Sequence, residues 1–127
     1  MKILLLLILL FPSFSFAEQN QYVCEVFGEY NVNEDGIFKE IDSLFVGQSF
    51  TVDRDSGSVI GKPFATDNYG EKHTVVHRGD KSGAFKLITT LENPNMIQIL
   101  SIDQAVNGKV KPFWGTDSHF VFTGLCE

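Results

Sequence analysis

YVCEVFGEY, residues 22–30, is the run that decides the fold. It is rich in β-branched and aromatic residues, the composition of a strand. It also carries Cys24, one of only two cysteines in the chain. The other, Cys126, ends the last strand-like run, His119 to Leu125. Two cysteines in an exported chain read as one disulfide. A zinc site needs about four ligands, and two distant cysteines supply too few. Bridged cysteines hold their Cα atoms within about 7 Å, so the first and last strands should be neighbours. In an up-and-down meander that adjacency closes the sheet and removes its exposed edges. The expectation is all-β: a small antiparallel β-barrel of 7–8 strands, closed or nearly closed, preferred over an open sandwich.

The N-terminus supplies the evidence for export. Lys2 is followed by an unbroken apolar run, Ile3 to Phe11, and Ser15-Phe16-Ala17 places small residues at the −3 and −1 positions of a cleavage site. This is the pattern of a signal peptide over residues 1–17. The apolar run is too short to span a bilayer, since helix rises about 1.5 Å per residue against a core of about 30 Å. No cysteine follows the run closely enough to suggest lipid attachment, so no membrane anchor is expected. Residues 18–127 then form a single β-barrel domain with one modest core. The protein is expected to be periplasmic or secreted, in a bacterium.

The chain carries a net charge of −6, and loss of Lys2, the leader's one charged residue, makes that −7. An acidic surface opposes nucleic acid and anionic lipid as partners; simple solubility accounts for it most readily, and it permits a basic protein partner. Composition leaves the oligomeric state open.

Along the chain, short apolar-aromatic runs alternate with turn signals about every ten residues, the spacing of a small barrel or sandwich. Asn33-Glu34-Asp35-Gly36 ends the first run. Gln48 to Asp53 and Ser58-Val59-Ile60 flank the turn Arg54-Asp55-Ser56-Gly57. Gly61-Lys62-Pro63 and Asp67-Asn68-Tyr69-Gly70 bound a loop. Lys72 to Arg78 and Ala84 to Leu91 are joined by Gly79–Gly83, and Glu92-Asn93-Pro94-Asn95 turns into Met96 to Ile102. Asn107-Gly108 favours a type I′ hairpin before Val110 to Trp114. One segment differs. Ile37, Ile41, Leu44 and Phe45 follow the i, i+4, i+7, i+8 spacing and precede Gly47, which predicts one short helix near 37–46.

No stretch announces catalysis. Asp53 and Asp55 could open a calcium loop, but an EF-hand starting at Asp53 would have Gly57 at position 5 and Phe64 at position 12, where oxygen ligands belong. A β-turn fits better. His73 and His77 stand four apart in a β-branched run, which separates them by about 13 Å along one strand face, too far to share a metal. A site that joins one of them to His119 or Asp117 is the weaker alternative. Glu25 with Glu29, and Asp53 with Asp55, are the candidate carboxylate pairs, and neither accompanies a nucleophile motif. The expectation is therefore no catalytic residue, no metal and no cofactor. The nine Phe, three Tyr and one Trp left after the leader read mainly as core. Pro112-Phe113-Trp114-Gly115 is the exception. Proline in a strand marks an edge, bulge or strand start, so beside the more ordinary core reading Trp114 is a candidate contact at a barrel rim.

Val52-Asp53-Arg54, Ser56-Gly57, Gly61, Lys111-Pro112-Phe113 and Thr123-Gly124-Leu125-Cys126 resemble a group of uncharacterised small exported bacterial proteins; that likeness implies no activity. Tyr22-Val23-Cys24, Cys126 and the stretch Ser82-Gly83-Ala84-Phe85 are similar to the periplasmic inhibitors of C-type lysozyme. Those are small exported barrels whose Ser-Gly-x-x-Tyr loop enters the enzyme's cleft. The chain departs at Lys86, where that family places tyrosine. Its spacing from that loop to Trp114 is also longer than the family's. The resemblance implies a partner contact at Ser82, with Lys86 standing at the tyrosine position, separate from the candidate contact at Trp114. The expected function is a non-catalytic exported binding protein with a protein partner. A lysozyme-inhibitor-like role and a small hydrophobic ligand carrier are the alternatives.

Overall fold

The computed structural model describes residues 20–64, 70–92 and 96–127. The expected leader, residues 67–69 of one loop and residues 93–95 of one turn lie outside the described residues. Among the described residues nine strands form one antiparallel sheet: β1 (Gln21–Val32), β2 (Phe38–Glu40), β3 (Ser49–Asp53), β4 (Val59–Ile60), β5 (Glu71–Asp80), β6 (Gly83–Leu91), β7 (Met96–Ile102), β8 (Lys111–Thr116) and β9 (Phe120–Cys126). Eight of them lie in the order β4-β3-β1-β9-β8-β7-β6-β5, and β2 pairs only with β1.

The first and last strands are neighbours, as the cysteines require. Cys24 lies opposite Cys126 in the β1–β9 ladder, and their sulfurs are bonded at 2.02 Å with Cα atoms 3.9 Å apart. This pairing lies in the middle of the sheet, however, and does not close it. The sheet ends are β4 and β5, which form no ladder among the described residues. The architecture is an open half-barrel, which corrects the expectation of a closed or nearly closed one. The physical reason is the length of β4. Its two residues are both paired to β3, and the ten-residue β5 pairs only with β6 among the described residues.

Side chains span that seam instead. The Asp53–Ser58 turn leans across from β3–β4 toward β5 and β6. Arg54, only 5% exposed, donates from Nη2 to the carbonyls of Arg78 (3.3 Å) and Gly79 (3.1 Å). Its guanidinium also lies 5.1 Å from the centre of the Tyr22 ring. Arg78 Nε returns the contact by donating to Asp55 Oδ1 at 2.8 Å. Gly57 sits at φ +73° with no room for a Cβ, which would stand 2.5 Å from Leu87 Cδ1.

The core lines the inner face. Alternation along β1 puts Tyr22, Cys24 and Val26 inside. Phe50, Phe64, Phe113 and Phe122 form an edge-to-face ring cluster with centroids 5.0–5.4 Å apart. Tyr22 and Phe85 add a tilted pair at 5.4 Å. Such pairs contribute about 0.5–1.5 kcal/mol beyond burial.

There is no helix at 37–46. Residues 38–40 pair with the end of β1, Val32 opposite Phe38, and residues 44–47 form a turn. The helical spacing marks no buried face. Leu44 is 90% exposed and Ile37 62%, and of the four only Phe45 packs against the core. The preceding turn settles the hairpin: Asn33 Oδ1 accepts the backbone NH groups of Asp35 and Ile37. The tight hairpin at Asn107-Gly108 is also absent. Gly108 takes positive φ and Asn107 does not. The β7–β8 connection is instead a longer loop, 103–110, gathered by Lys111 Nζ, which donates to the carbonyls of Gln104 and Val106.

Candidate functional site

Trp114 lies mid-strand on the outer face of the half-barrel, not at a rim. Pro112 precedes the first paired residue of the β7–β8 ladder, Phe113 opposite Ile102, so the proline costs no hydrogen bond there. Strand alternation then turns Phe113 inward and Trp114 outward. The register runs His77, Lys86, Ser101, Trp114, Thr123 across β5 to β9. Two of the three predicted contacts, Lys86 and Trp114, therefore share one row of one face, separated by Ser101.

Apolar side chains extend that face. Ile99 and Leu125 are diagonal neighbours of Trp114 by register, and Val23 and Phe27 lie diagonal to Leu125 on β1. Diagonal positions lie within reach of large side chains. All are at least about a third exposed, Trp114 at 48% and Phe27 at 51%. Phe27 stands in the bulge between Val26 and Gly28.

Two clefts flank the row. One of about 370 Å³ is lined by Ala84, Ser101, Asp103, Pro112, Phe113 and Trp114. The other, about 310 Å³, is lined by Val76, His77, Gly83, Ala84 and Lys86. They share Ala84. A larger groove of about 430 Å³, at one end of the half-barrel, includes Tyr22, Arg54, Gln104 and Lys111. Those groups are already engaged: Tyr22 donates to Gln104 Oε1 at 2.7 Å, and Arg54 and Lys111 donate to backbone carbonyls. A gap lined by Val59, Phe64, Leu87 and Leu100 is about 10 Å³, against about 300–1,000 Å³ for a ligand pocket.

Ser82, the third predicted contact, is not part of the row. It lies in the β5–β6 turn, and both its NH and its hydroxyl donate to Asp80 Oδ1 at 2.8 and 2.7 Å. Those bonds, the hydroxyl first, hold the Asp80 carboxyl below its usual pKa.

The histidine pair and the Glu25–Glu29 pair are split between faces. A bulge between Val75 and His77 breaks the alternation, so the two histidines do not share a face as their spacing implied. His73 is partly buried, with Nδ1 2.9 Å from Thr89 Oγ1 and Nε2 3.1 Å from Glu71 Oε2. His77 is exposed beside Lys86, with Nδ1 2.9 Å from the Ala84 carbonyl and 3.0 Å from the Gly79 NH. Those two contacts need opposite protonation of one nitrogen, so one excludes the other. The bulge in β1 similarly leaves Glu25 outside and Glu29 buried. Asp53 Oδ1 accepts the NH of Asp55 and the NH and hydroxyl of Ser56. The Ser56 bonds, its NH foremost, lower the Asp53 pKa. No three His, Cys, Asp or Glu side chains among the described residues converge as metal ligands.

Asp103, Ser101 and the outer-face apolar residues do not stand out in the sequence. Asp103 was hidden by the expectation of a tight turn nearby, and the apolar residues by the assumption that aromatics serve the core. No family model, curated protein or solved structure matches the chain.

Proposed function

We propose that this is an exported, non-catalytic binding protein whose outer sheet face, centred on Trp114, docks a basic protein. The observation that carries the reading is the exposed row and diagonal of Ile99, Trp114, Leu125 and Phe27 on a sheet whose core is already supplied by other aromatics. Contiguous exposed apolar surface marks interaction sites more often than isolated exposed residues do. Tryptophan is the residue type most enriched at binding hot spots, together with Tyr and Arg. The net charge of −6 favours a basic partner, because complementary fields speed encounter and suppress wrong partners. The leader-like N-terminus and the disulfide agree with an oxidising compartment.

A C-type lysozyme is the sharpest instance of such a partner. It is favoured by the exposed Ser82-Gly83 turn adjoining the His77–Lys86 cleft. The test is binding of the purified protein to lysozyme and to other basic secreted proteins at low salt, with Trp114→Ala in parallel. A partner retained by the parent chain and weakened at least about tenfold by Trp114→Ala is expected, the scale of an interface hot spot. Equal retention of both chains would refute the assignment of this face. Full lysozyme activity in the presence of excess protein would remove the lysozyme reading alone.

A further inference from the structure

Trp114 and Asp103 line one cleft of about 370 Å³. Among the described residues no aromatic ring pairs with the indole. Its cross-strand neighbours are Ser101 and Thr123, and the side chain is 48% exposed. Asp103 projects to the same side of β7's continuation as Ser101, which places it diagonal to Trp114. Its Oδ1 accepts the Ala105 NH at 3.2 Å, and no cation of the described residues pairs with the carboxylate. A half-exposed indole beside an unneutralised carboxylate is the pairing that recognises an organic cation. The ring face attracts the charge through its quadrupole, and the carboxylate accepts the N–H groups.

We propose that this cleft takes one cationic side chain of the partner, an arginine laid flat on the Trp114 indole with its guanidinium edge on Asp103. The proposal rests on the reading of this face as a docking surface. Arginine fits better than lysine, because its planar fork stacks on an aromatic while offering two parallel donors to a carboxylate. Lys86 stands two strands from Trp114, about 10 Å at the usual strand spacing. It opposes a second cation on that side, so the site takes one.

Trp114 is the only tryptophan in the chain, so its emission reports the cleft directly. The purified protein is titrated with acetyl-arginine amide, and with acetyl-citrulline amide as the neutral isostere. A saturable change in emission is expected for the arginine compound, half-complete at about 1–10 mM for so small a ligand, and none for citrulline. Asp103→Asn should raise the half-saturation point at least about tenfold, the low end of what loss of hydrogen bonding to a charged group costs, with the free protein's emission unchanged. Identical curves for the two compounds, no saturable change, or an unshifted curve for Asp103→Asn would overturn the proposal. A basic protein partner that needs Trp114 but ignores Asp103→Asn would leave the docking face standing and remove this site. Arginine binding without any protein partner would do the reverse.

Discussion

Arg54→Met tests whether one guanidinium holds the two ends of the sheet together. Methionine keeps much of the apolar stem, so packing changes little and the polar loss dominates. Nη2 divides itself between two carbonyls at 3.1 and 3.3 Å, which we count as one charge-assisted bond of about 1.5–3 kcal/mol. The contact with the Tyr22 ring adds about 1 kcal/mol in a partly desolvated setting. The expected loss is about 3 kcal/mol, a large share of the roughly 5–15 kcal/mol typical of a domain. With a urea slope of about 1.5 kcal/mol/M, the midpoint falls by about 2 M. Far-ultraviolet circular dichroism follows the transition. Two companions sharpen it. Arg54→Lys keeps the charge but loses the fork and should fall between. Asp55→Asn removes an ion pair whose partners are 44% and 57% exposed, and should cost under about 1 kcal/mol. A midpoint shift below about 0.5 M for Arg54→Met, at unchanged slope, would show that the seam holds without the guanidinium.

Gly57→Ala combines a left-handed backbone, which costs about 1–2 kcal/mol for a residue with a Cβ, with a clash on Leu87 Cδ1; a total loss of about 2–4 kcal/mol is expected in the same urea assay. Replacing both Cys24 and Cys126 by alanine frees a loop with sequence separation 102, and the chain-entropy model gives about 4.7 kcal/mol as a ceiling, read as the midpoint difference from the oxidised protein. The folded-state pKa of Asp53 is depressed, so its carboxylate contributes stability that is present above its unfolded value of 3.8 and lost as pH falls through the lower folded value. Asp53→Asn should therefore flatten the pH dependence of the urea midpoint below about pH 4, and an unchanged acid profile would contradict it.

The β content was legible wherever a turn residue did its work locally. Asn33, Asp53 and Asp80 each bond to backbone within four residues, and those bonds depend on neighbours in sequence. The Cys24–Cys126 adjacency followed from covalent geometry. What escaped depended on distant partners. The 37–46 spacing looked helical, but β1 is twelve residues long and offers its last three to a neighbouring strand, so pairing overrode the pattern. Closure was inferred from the wrong pair of strands. Adjacency of β1 and β9 says nothing about β4 and β5, whose relation rests on Arg54 reaching a carbonyl 24 residues away. The site was half visible: Lys86 and Trp114 were named separately, but only the register brought them into one row. The bulges at 26–28 and 75–77 reversed the facing of Glu29 and His77, and one extra residue in a ladder leaves no periodic trace.

The central placement of the disulfide has a mechanical consequence. β1 enters and β9 leaves from the same end of the sheet, and Cys24–Cys126 ties them there. Tension applied through handles at residues 20 and 127 runs straight across the sulfur–sulfur bond and bypasses the fold. The oxidised protein should show almost no extension under a load that would unravel an ordinary domain. Reduction changes the geometry to a zipper, in which β1 and β9 separate rung by rung at low force. It then releases about 350 Å of chain for the 102-residue separation, at about 3.4 Å per residue.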